Sequence, residues 1–505
     1  MEQGRVRQVV VLGGGTAGWM TAAALSKALG SGIELTVVES DEIGTVGVGE
    51  ATIPLITHFN QQLELDENDF LRQTQGTFKL GIEFADWLRP GHRYMHAFGR
   101  FRPDVSLASF EHLWLKLHLR GETADLGEFL MTQRAAYAAK FMRPRLDVQD
   151  SPLSDLAYAF HFDASLYAAY LRRYAVKRGV TRVEGKVVDV RLDPSTGHIR
   201  SLALDGGRQV DGQFFVDCSG FRGLLIEGTL HAGYDDWSQW LPCDRAVAVP
   251  CASASPLLPY TRSTARTAGW QWRIPLQHRI GNGYVFCSKH LSEDEAASTL
   301  LGHLDGEALA EPRTLRFVTG ARRKSWDRNC VAVGLASGFL EPLESTSIHL
   351  IQTAIGRLVS FFPSGEFDQA DIDEYNRQTR EEFEHVRDMI VLHYHATERA
   401  EPMWVQCRET TPPESLQRRI RLFRNHGRLF QVSPRELFAP FNWFQVLLGQ
   451  GLQPSGYHPL VDLAPVETIG AYLADLQAGI GRCVDFMPSH ESFIEQHCRA
   501  QRQVG

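Results

Sequence analysis

The feature that most constrains this chain is a glycine-rich turn placed between a strand pattern and a helix pattern. The apolar run VRQVVVL, residues 6–12, predicts a buried strand, and a helical pattern begins after GGGTAG, residues 13–18. A second apolar run, IELTVVES at residues 33–40, predicts another strand. The three segments make a βαβ unit, so the chain is predicted to open with an α/β domain.

The spacing of the glycines predicts a dinucleotide site of the Rossmann type in this unit. Gly13 permits the tight turn, Gly15 lets the backbone approach a pyrophosphate, and Gly18 allows close helix packing. The helix N-terminus attracts the phosphate charge, and Glu39, at the end of the second strand, is placed to accept hydrogen bonds from a ribose. The predicted cofactor-binding residues of the turn are Gly13, Gly15, Thr16, Ala17 and Gly18. A glycine turn without a ligand is the alternative.

Two later segments favour FAD over NAD as the dinucleotide. Residues 214–223, FFVDCSGFRG, and residues 330–346, CVAVGLASGFLEPLEST, each place an apolar strand before a turn of small residues, as expected where the chain returns to a large bound cofactor. Gly334 and Leu340 in the second segment are predicted cofactor contacts. Since no second GxGxxG follows a strand, there is no visible NAD(P)H site, and electrons for a flavin used in reduced form are expected from another protein.

The length of 505 residues is too great for one ordinary core, so more than one structural unit is expected. The predicted fold class is α/β, with an FAD-binding domain at 1–350 that carries inserted helical and β-sheet segments in contact with the substrate. A mainly helical region at 351–505 is predicted to complete the substrate site. Asp163 is a candidate N-terminal helix cap, and QRRIRLFRNHGR at 417–428 predicts an amphipathic helix rather than a phosphate-binding surface.

Charge and cysteine usage argue against several classes of partner. The net charge of -8 disfavours nucleic acid, which normally binds a basic face. Eight cysteines without a CxxC pair indicate reduced thiols, with neither a disulfide framework nor a metal site. No apolar run reaches the length of a membrane span and no signal sequence precedes the first strand, so a cytoplasmic location is predicted. The oligomeric state is open, with a homodimer as the commonest outcome.

Five motifs, in order along the chain, resemble the flavin-dependent halogenases of the tryptophan halogenase family. They are GGGTAGW at the start, VGVGEATIP at 46–54, FKLG at 78–81, WQWRIP at 270–275 and LEPLEST at 340–346. The resemblance implies a fold of the single-component flavin monooxygenase kind that binds FAD, with Gly49 and Ala51 among the cofactor contacts. It also implies that a separate NAD(P)H-dependent flavin reductase supplies the reduced FAD. Reduced FAD and O2 would then form a flavin hydroperoxide, chloride or bromide would attack it, and hypohalous acid would pass through a tunnel to an aromatic substrate.

The tryptophan pair in WQWRIP has two interpretations. Trp270 and Trp272 alternate on an extended segment, so both indoles share one face, and core packing is the ordinary reason for such an arrangement. The resemblance implies instead that both lie near the flavin and keep organic substrates away from it, with Ile274 and Pro275 on the same side of the tunnel.

The resemblance implies three catalytic residues. Lys79 directs hypohalous acid, by hydrogen bonding or by becoming a haloamine, whereas taken alone it is a surface lysine with a buried stem. Glu344 lies near Lys79 and removes the ring proton after halogen addition or stabilises the cationic intermediate. Its alternative is a residue at a helix N-terminus with Ser345 or Thr346 as the cap. Ser345 also matches a position that holds the substrate or intermediate.

Further positions match the halide and substrate sites of the family. The backbone around Thr346 and Ser347 matches the halide site, although many members have glycine where this chain has Ser347. His96 and Phe98 match positions that stack an indole, and a packed loop is their alternative.

One departure from the family pattern bears on the substrate. Tryptophan halogenases hold the amino acid's carboxylate and amine with a tyrosine pair and a glutamate six residues later, where this chain has Trp443, Phe444 and Gln450. Because two hydroxyl donors and a carboxylate are missing, a zwitterion lacks partners there. We therefore expect indole, a substituted indole or another electron-rich aromatic rather than free tryptophan. A hydroxylating flavin monooxygenase and a catalytically inactive flavin-binding protein are the alternative functions.

Overall fold

The computed structural model describes residues 6–42, 49–100, 109–148 and 151–501. The strands in these ranges are β1 Gln8–Leu12, β2 Glu34–Glu39, β3 Gly49–Ala51, β4 Thr77–Lys79, β5 Gly81–Ala85, β6 Arg93–Ala97, β7 Ala159–Asp163, β8 Thr181–Glu184, β9 Val187–Leu192, β10 Ile199–Leu204, β11 Gln209–Asp211, β12 Phe214–Asp217, β13 Tyr234–Asp236, β14 Arg245–Cys251, β15 Thr261–Arg266, β16 Gly269–Pro275, β17 Ile280–Phe286, β18 Arg313–Arg316, β19 Gly320–Arg322, β20 Trp326–Asp327, β21 Cys330–Ala332 and β22 Gly338–Phe339. The α-helices are α1 Thr16–Leu29, α2 Leu55–Gln62, α3 Glu67–Gln73, α4 Phe110–His118, α5 Met131–Tyr137, α6 Ala164–Lys177, α7 Glu293–Leu301, α8 Ser347–Ser360, α9 Gln369–His395, α10 Pro402–Glu409, α11 Glu414–His426, α12 Pro440–Gly449, α13 Val466–Phe486 and α14 His490–His497.

The chain forms two compact units, and each is built from three separate stretches of sequence. The first takes residues 1–75, 162–238 and 317–384, and the second takes residues 76–161, 239–316 and 385–505. The boundary predicted at residue 350 falls inside α8, within the first unit. The interleaving follows from strand pairing between segments that are far apart in sequence.

The first unit is organised around a six-stranded sheet in the order β20-β21-β12-β1-β2-β8. Strands β21, β12, β1, β2 and β8 run parallel, and the short β20 is antiparallel at one edge. Helix α1 joins β1 to β2 and packs against α6 and α8. These elements confirm the predicted βαβ opening and the α/β fold class.

Two carboxylates next to this sheet bind backbone N–H groups of the chain that follows or faces them. Asp163 caps α6 as predicted, since its Oδ1 accepts the backbone N–H groups of Ser165 at 3.0 Å and Leu166 at 3.2 Å. At the end of β12, the buried carboxylate of Asp217 accepts the N–H groups of Leu225 at 2.8 Å and Ile226 at 2.9 Å. Both carboxylates satisfy backbone donors that would otherwise be buried without a partner.

The second unit contains a seven-stranded sheet in the order β18-β14-β17-β16-β15-β5-β6. Its pairs are antiparallel except for β15 with β5, which run parallel. The tryptophan strand β16 lies inside the sheet, where Trp272 pairs with Ser263 on β15 and Gly283 on β17. A Cβ at Gly283 would lie 2.1 Å from the Trp272 ring, so only glycine fits here without displacing that ring.

The rest of the second unit is mainly helical, as predicted for the C-terminal region. The arginine-rich segment forms α11, which buries Leu416, Ile420 and Phe423 and leaves most of its arginines at the surface, so the amphipathic helix is confirmed. Across the described part of the chain, none of the helices combines the length and apolar character needed to cross a bilayer. All eight cysteines are free thiols.

Candidate functional site

The glycine turn of the first unit has the shape of a pyrophosphate cradle. Gly13 has φ +119°, and a Cβ there would lie 2.2 Å from the carbonyl oxygen of Cys218. A Cβ at Gly18 would lie 1.8 Å from the carbonyl oxygen of Gly13, so α1 packs closely on the turn. At Gly15, by contrast, an added Cβ would meet no described atom within 4 Å. Gly13 and Gly18 therefore pack tightly against neighbouring backbone, whereas space is left beside Gly15 at the N-terminus of α1. This space fits the phosphates of FAD.

Glu39 ends β2 beside this turn and is held by partners that the sequence did not reveal. Its Oε2 accepts the indole N–H of Trp19 at 3.0 Å. Its Oε1 forms ion pairs with Arg182 and, at 3.4 Å, with Arg172. The carboxylate is 8% exposed and oriented by these contacts, and its remaining lone pairs are the ones available to a ribose hydroxyl.

The turn after β21 packs on the same helix. Gly334 has φ +72°, and a Cβ there would lie 2.8 Å from the Cβ of Ala17 in α1. Thr16 donates its hydroxyl hydrogen to the carbonyl of Ala164 at 3.3 Å. Because β1, β12 and β21 are parallel, the turns that follow them meet at one edge of the sheet, where open α/β sheets bind ligands.

Three further predicted cofactor contacts, Leu340, Gly49 and Ala51, are buried in the first unit. Gly49 and Ala51 belong to β3. Residues 46–48 of the VGVGEATIP motif lie outside the described residues.

The LEPLEST segment reaches α8 through a left-handed residue. Glu344 is 1% exposed and ends a short 3-10 turn, and Ser345 follows with φ +58° and ψ 37°. Helix α8 then begins at Ser347, and Thr346 stands at the N-cap position without a capping hydrogen bond from its side chain. The helix-cap alternative therefore lacks its defining contact at Thr346.

The side chain of Thr346 is a buried donor without an acceptor. Its residue is fully buried, and Oγ1 has no hydrogen-bond partner among the described residues. Leaving such a group unpaired costs about 1–3 kcal/mol. The hydroxyl stands at the start of α8, where the helix dipole is positive, so an anion would satisfy both features.

In the second unit, Lys79 is fully buried on β4 between Phe78 and Leu80, which are both buried as well. Its Nζ lies 5.2 Å from the ring centroid of Phe98, a cation–π contact. His96 is 4% exposed, and its Nε2 lies 3.0 Å from Asn442 Nδ2. The surface-lysine interpretation of Lys79 is therefore wrong, and its ammonium contacts Phe98, one of the residues predicted to stack the substrate ring.

The two tryptophans of β16 share one face, as their spacing predicts. Their ring centroids are 6.1 Å apart, and the rings are tilted by 58°. Trp270 packs against Trp87, whose ring centroid is 6.3 Å away. The buried Nε1 of Trp272 has no acceptor within the part of the chain that is described, so core packing does not account for this indole completely. Ile274 and Pro275 are buried further along the same strand.

Three residues occupy the positions where tryptophan halogenases hold the carboxylate and amine of the amino acid, and each contacts other residues of this protein. Trp443 donates its indole N–H to Glu436 at 3.1 Å, and the guanidinium of Arg419 lies 4.1 Å from its ring centroid. Phe444 packs edge-on against other aromatic rings of the unit. Gln450 donates Nε2 hydrogens to two backbone carbonyls, at 2.7 Å and 3.0 Å, whereas its buried Oε1 has no partner among the described residues. The sequence did not reveal Arg419 and Glu436, because nothing in the α11–α12 connection specifies that pairing.

Comparisons with known proteins agree with this fold and site. The tryptophan halogenase family model matches residues 8–466. A tryptophan 6-halogenase from Streptomyces albogriseolus is 34% identical over 530 residues, which covers 97% of this chain and 98% of that protein.

Two solved structures are more similar in sequence than that relative. A flavin-dependent halogenase from Xanthomonas campestris is 47% identical with a TM-score of 0.95, covering 98% of this chain and 99% of that chain. The flavin-dependent halogenase BrvH from Brevundimonas sp. BAL3 is 46% identical with a TM-score of 0.93, covering 97% of this chain and 99% of that chain. Since the family model and these relatives span nearly the whole sequence, the chain belongs to the tryptophan halogenase family of flavin-dependent enzymes.

Proposed function

We propose that this flavin-dependent halogenase uses reduced FAD, O2 and chloride or bromide to form hypohalous acid, and that it halogenates indole or a substituted indole. The family acts on aromatic substrates with a flavin, and the choice of oxidant, halide and substrate is our inference. The preference for indole over free tryptophan rests on one observation: Trp443 and Gln450 already donate hydrogen bonds to neighbouring groups of the protein.

The first unit would hold the cofactor and the halide. Gly13, Gly15 and Gly18 would bind the pyrophosphate, and Glu39 would bind the ribose. When bound and reduced, FAD supplies the electrons that activate O2, and a separate NAD(P)H-dependent flavin reductase would deliver it. The unpaired Thr346 hydroxyl at the start of α8 supports halide binding there.

The second unit would guide the oxidant. Trp270 and Trp272 would keep aromatic substrates away from the flavin, and the buried ammonium of Lys79 would bind hypohalous acid or become a haloamine. Glu344 and Ser345 belong to the first unit. Electrophilic substitution develops positive charge on the ring, so the buried carboxylate of Glu344 would stabilise that charge or accept the ring proton. Ser345 would help hold the substrate or intermediate.

The substrate side of the proposal rests on missing hydrogen-bond partners. An amino-acid carboxylate needs hydrogen-bond donors. The Trp443 indole N–H already donates to Glu436, and the Gln450 amide nitrogen already donates to two backbone carbonyls. Phe444 offers no polar atom. Phe98, in contact with Lys79, and His96, two residues before it, would supply aromatic surface for a planar ring.

A competition assay tests this proposal. Purified protein is supplied with FAD, a generic flavin reductase, NADH, O2 and bromide, together with equal concentrations of indole and free tryptophan, and products are separated by mass spectrometry. We expect monobrominated indole to form faster than brominated tryptophan. Faster bromination of tryptophan would refute the substrate argument alone, and oxygenated product without halogen would move the chain to the monooxygenases.

A further inference from the structure

A buried chain of hydrogen bonds runs beside the strand that carries Lys79. Thr77 Oγ1 lies 2.7 Å from the carbonyl oxygen of Pro275 and 2.9 Å from His161 Nδ1. The other ring nitrogen, His161 Nε2, lies 2.9 Å from Thr261 Oγ1. Thr77 and His161 are fully buried, and Thr261 is 4% exposed. We name this chain of groups the Thr77–His161 relay.

The direction of each hydrogen bond in the relay follows from the Pro275 carbonyl at one end of it, which has no hydrogen to donate. The carbonyl of Pro275 can only accept, so the Thr77 hydroxyl donates to it and must accept a hydrogen from His161 Nδ1. Burial, together with the positive charges of Lys79 and Arg273, holds the pKa of His161 well below its usual value. The ring is therefore neutral, with its hydrogen on Nδ1, and Nε2 accepts from Thr261.

A second buried histidine holds the same strand through its backbone. The N–H of Phe78 donates to His490 Nε2 at 3.2 Å, and His490 Nδ1 lies 2.8 Å from the carbonyl oxygen of Leu257. Because Nε2 accepts, the ring hydrogen is on Nδ1 and is donated to Leu257. Burial lowers the pKa of His490 to about 4, so this ring is also neutral near pH 7.

These contacts join Lys79 to the tryptophan strand. Thr77 and Lys79 are two residues apart on β4, so both side chains lie on one face of the strand. Across β7, Thr77 pairs with His161 and Lys79 pairs with Ala159. The relay's carbonyl acceptor, Pro275, is the last residue of β16. The relay therefore sets how far β4 can shift or rotate against β16.

We propose that Thr77 and His161 are positioning residues that fix the Lys79 ammonium relative to Trp272, with His490 holding the backbone of β4. This inference rests on the proposed role of Lys79 in directing hypohalous acid. If β4 shifts, the oxidant is still made, but it escapes before Lys79 directs it to the substrate. Misplacing a reacting group by about 1 Å lowers a rate by about a hundredfold.

A pair of variants at Thr77 tests the inference. Thr77→Val keeps the shape and removes the hydroxyl, whereas Thr77→Ser keeps the hydroxyl and serves as the matched control. The assay measures brominated indole, its kcat and KM, and free hypobromous acid trapped by monochlorodimedone. We expect Thr77→Val to lower kcat by tenfold to a hundredfold with KM within about twofold, to raise the trapped oxidant, and Thr77→Ser to restore both values.

Other outcomes separate the inference from the proposed function. An unchanged ratio of product to trapped oxidant in Thr77→Val, or an equal loss of both with no rescue by serine, would overturn the positioning role while leaving the halogenase assignment intact. Nitrogen-15 NMR of histidine-labelled protein needs no turnover and should show neutral Nδ1–H rings for His161 and His490 at pH 7. An Nε2–H or doubly protonated His161 would refute the relay, whereas an intact relay in a protein that halogenates no aromatic would refute only the proposed function.

Discussion

The buried cluster of Arg419, Glu436 and Trp443 gives a quantitative prediction. The Glu436 side chain has no exposed surface and receives hydrogens from Arg419 at 2.5 Å, from the backbone of Val432 at 2.8 Å and from Trp443 at 3.1 Å. Glu436→Gln keeps one acceptor but leaves the Arg419 guanidinium, whose side chain is only 11% exposed, without its counter-charge. Removing one partner of a buried ion pair costs about 3–5 kcal/mol, and the retained amide oxygen places our expectation near 3 kcal/mol.

Urea unfolding followed by circular dichroism measures this loss. The matched control is Glu495→Gln, because Glu495 pairs with Arg499 at the surface, where both side chains are more than half exposed. We expect the control to lose at most about 1 kcal/mol. A loss for Glu436→Gln no larger than that of the control would show that the ion pair does not hold Trp443 in place, and the structural basis for excluding free tryptophan would fail with it.

Two further predictions concern one ion pair and one glycine. Burial by itself raises the pKa of Glu382, but the ion pair with Arg357 outweighs burial and lowers this pKa from 4.5 to about 2. The pair therefore stabilises the fold fully above about pH 4.5 and loses that contribution as the pH falls through 2, so Glu382→Gln should cost about 3 kcal/mol in urea unfolding at pH 7 and progressively less in acid. Gly283→Ala should lower the unfolding free energy by about 1–3 kcal/mol, because its Cβ would lie 2.1 Å from the Trp272 ring. The control Gly481→Ala, in α13 where an added Cβ meets no described atom within 4 Å, should instead raise it by up to about 1 kcal/mol; equal effects of the two substitutions would contradict the packing argument.

Structural features that depend only on residues close together in the sequence could be predicted from it. The strand, glycine turn and helix at the start are set by local periodicity and by the φ of Gly13, and the structure reproduces them. Asp163 at the start of α6 and the shared face of Trp270 and Trp272 follow from the same local rules.

Features that depend on residues far apart in the sequence could not be predicted from it. The β15 strand lies beside β5 although about 180 residues separate Thr261 from its partner Ile82, and no local pattern specifies that pairing. The same limit applies to the site, since Glu39 is held by Arg182 and Trp443 by Glu436, contacts that exist only once the chain has folded. The isolated sequence around Lys79 is equally compatible with a surface residue, and only the fold buries it completely.

The most direct test of the central claim compares the native protein with Lys79→Ala in one bromination assay. Both proteins receive FAD, a flavin reductase, NADH, O2, bromide and indole, and FAD binding and NADH-dependent O2 consumption are measured beside the product. We predict a product with the bromine isotope doublet from the native protein only, with FAD binding and O2 consumption unchanged in Lys79→Ala. Bromoindole formed at the native rate by Lys79→Ala would contradict the account.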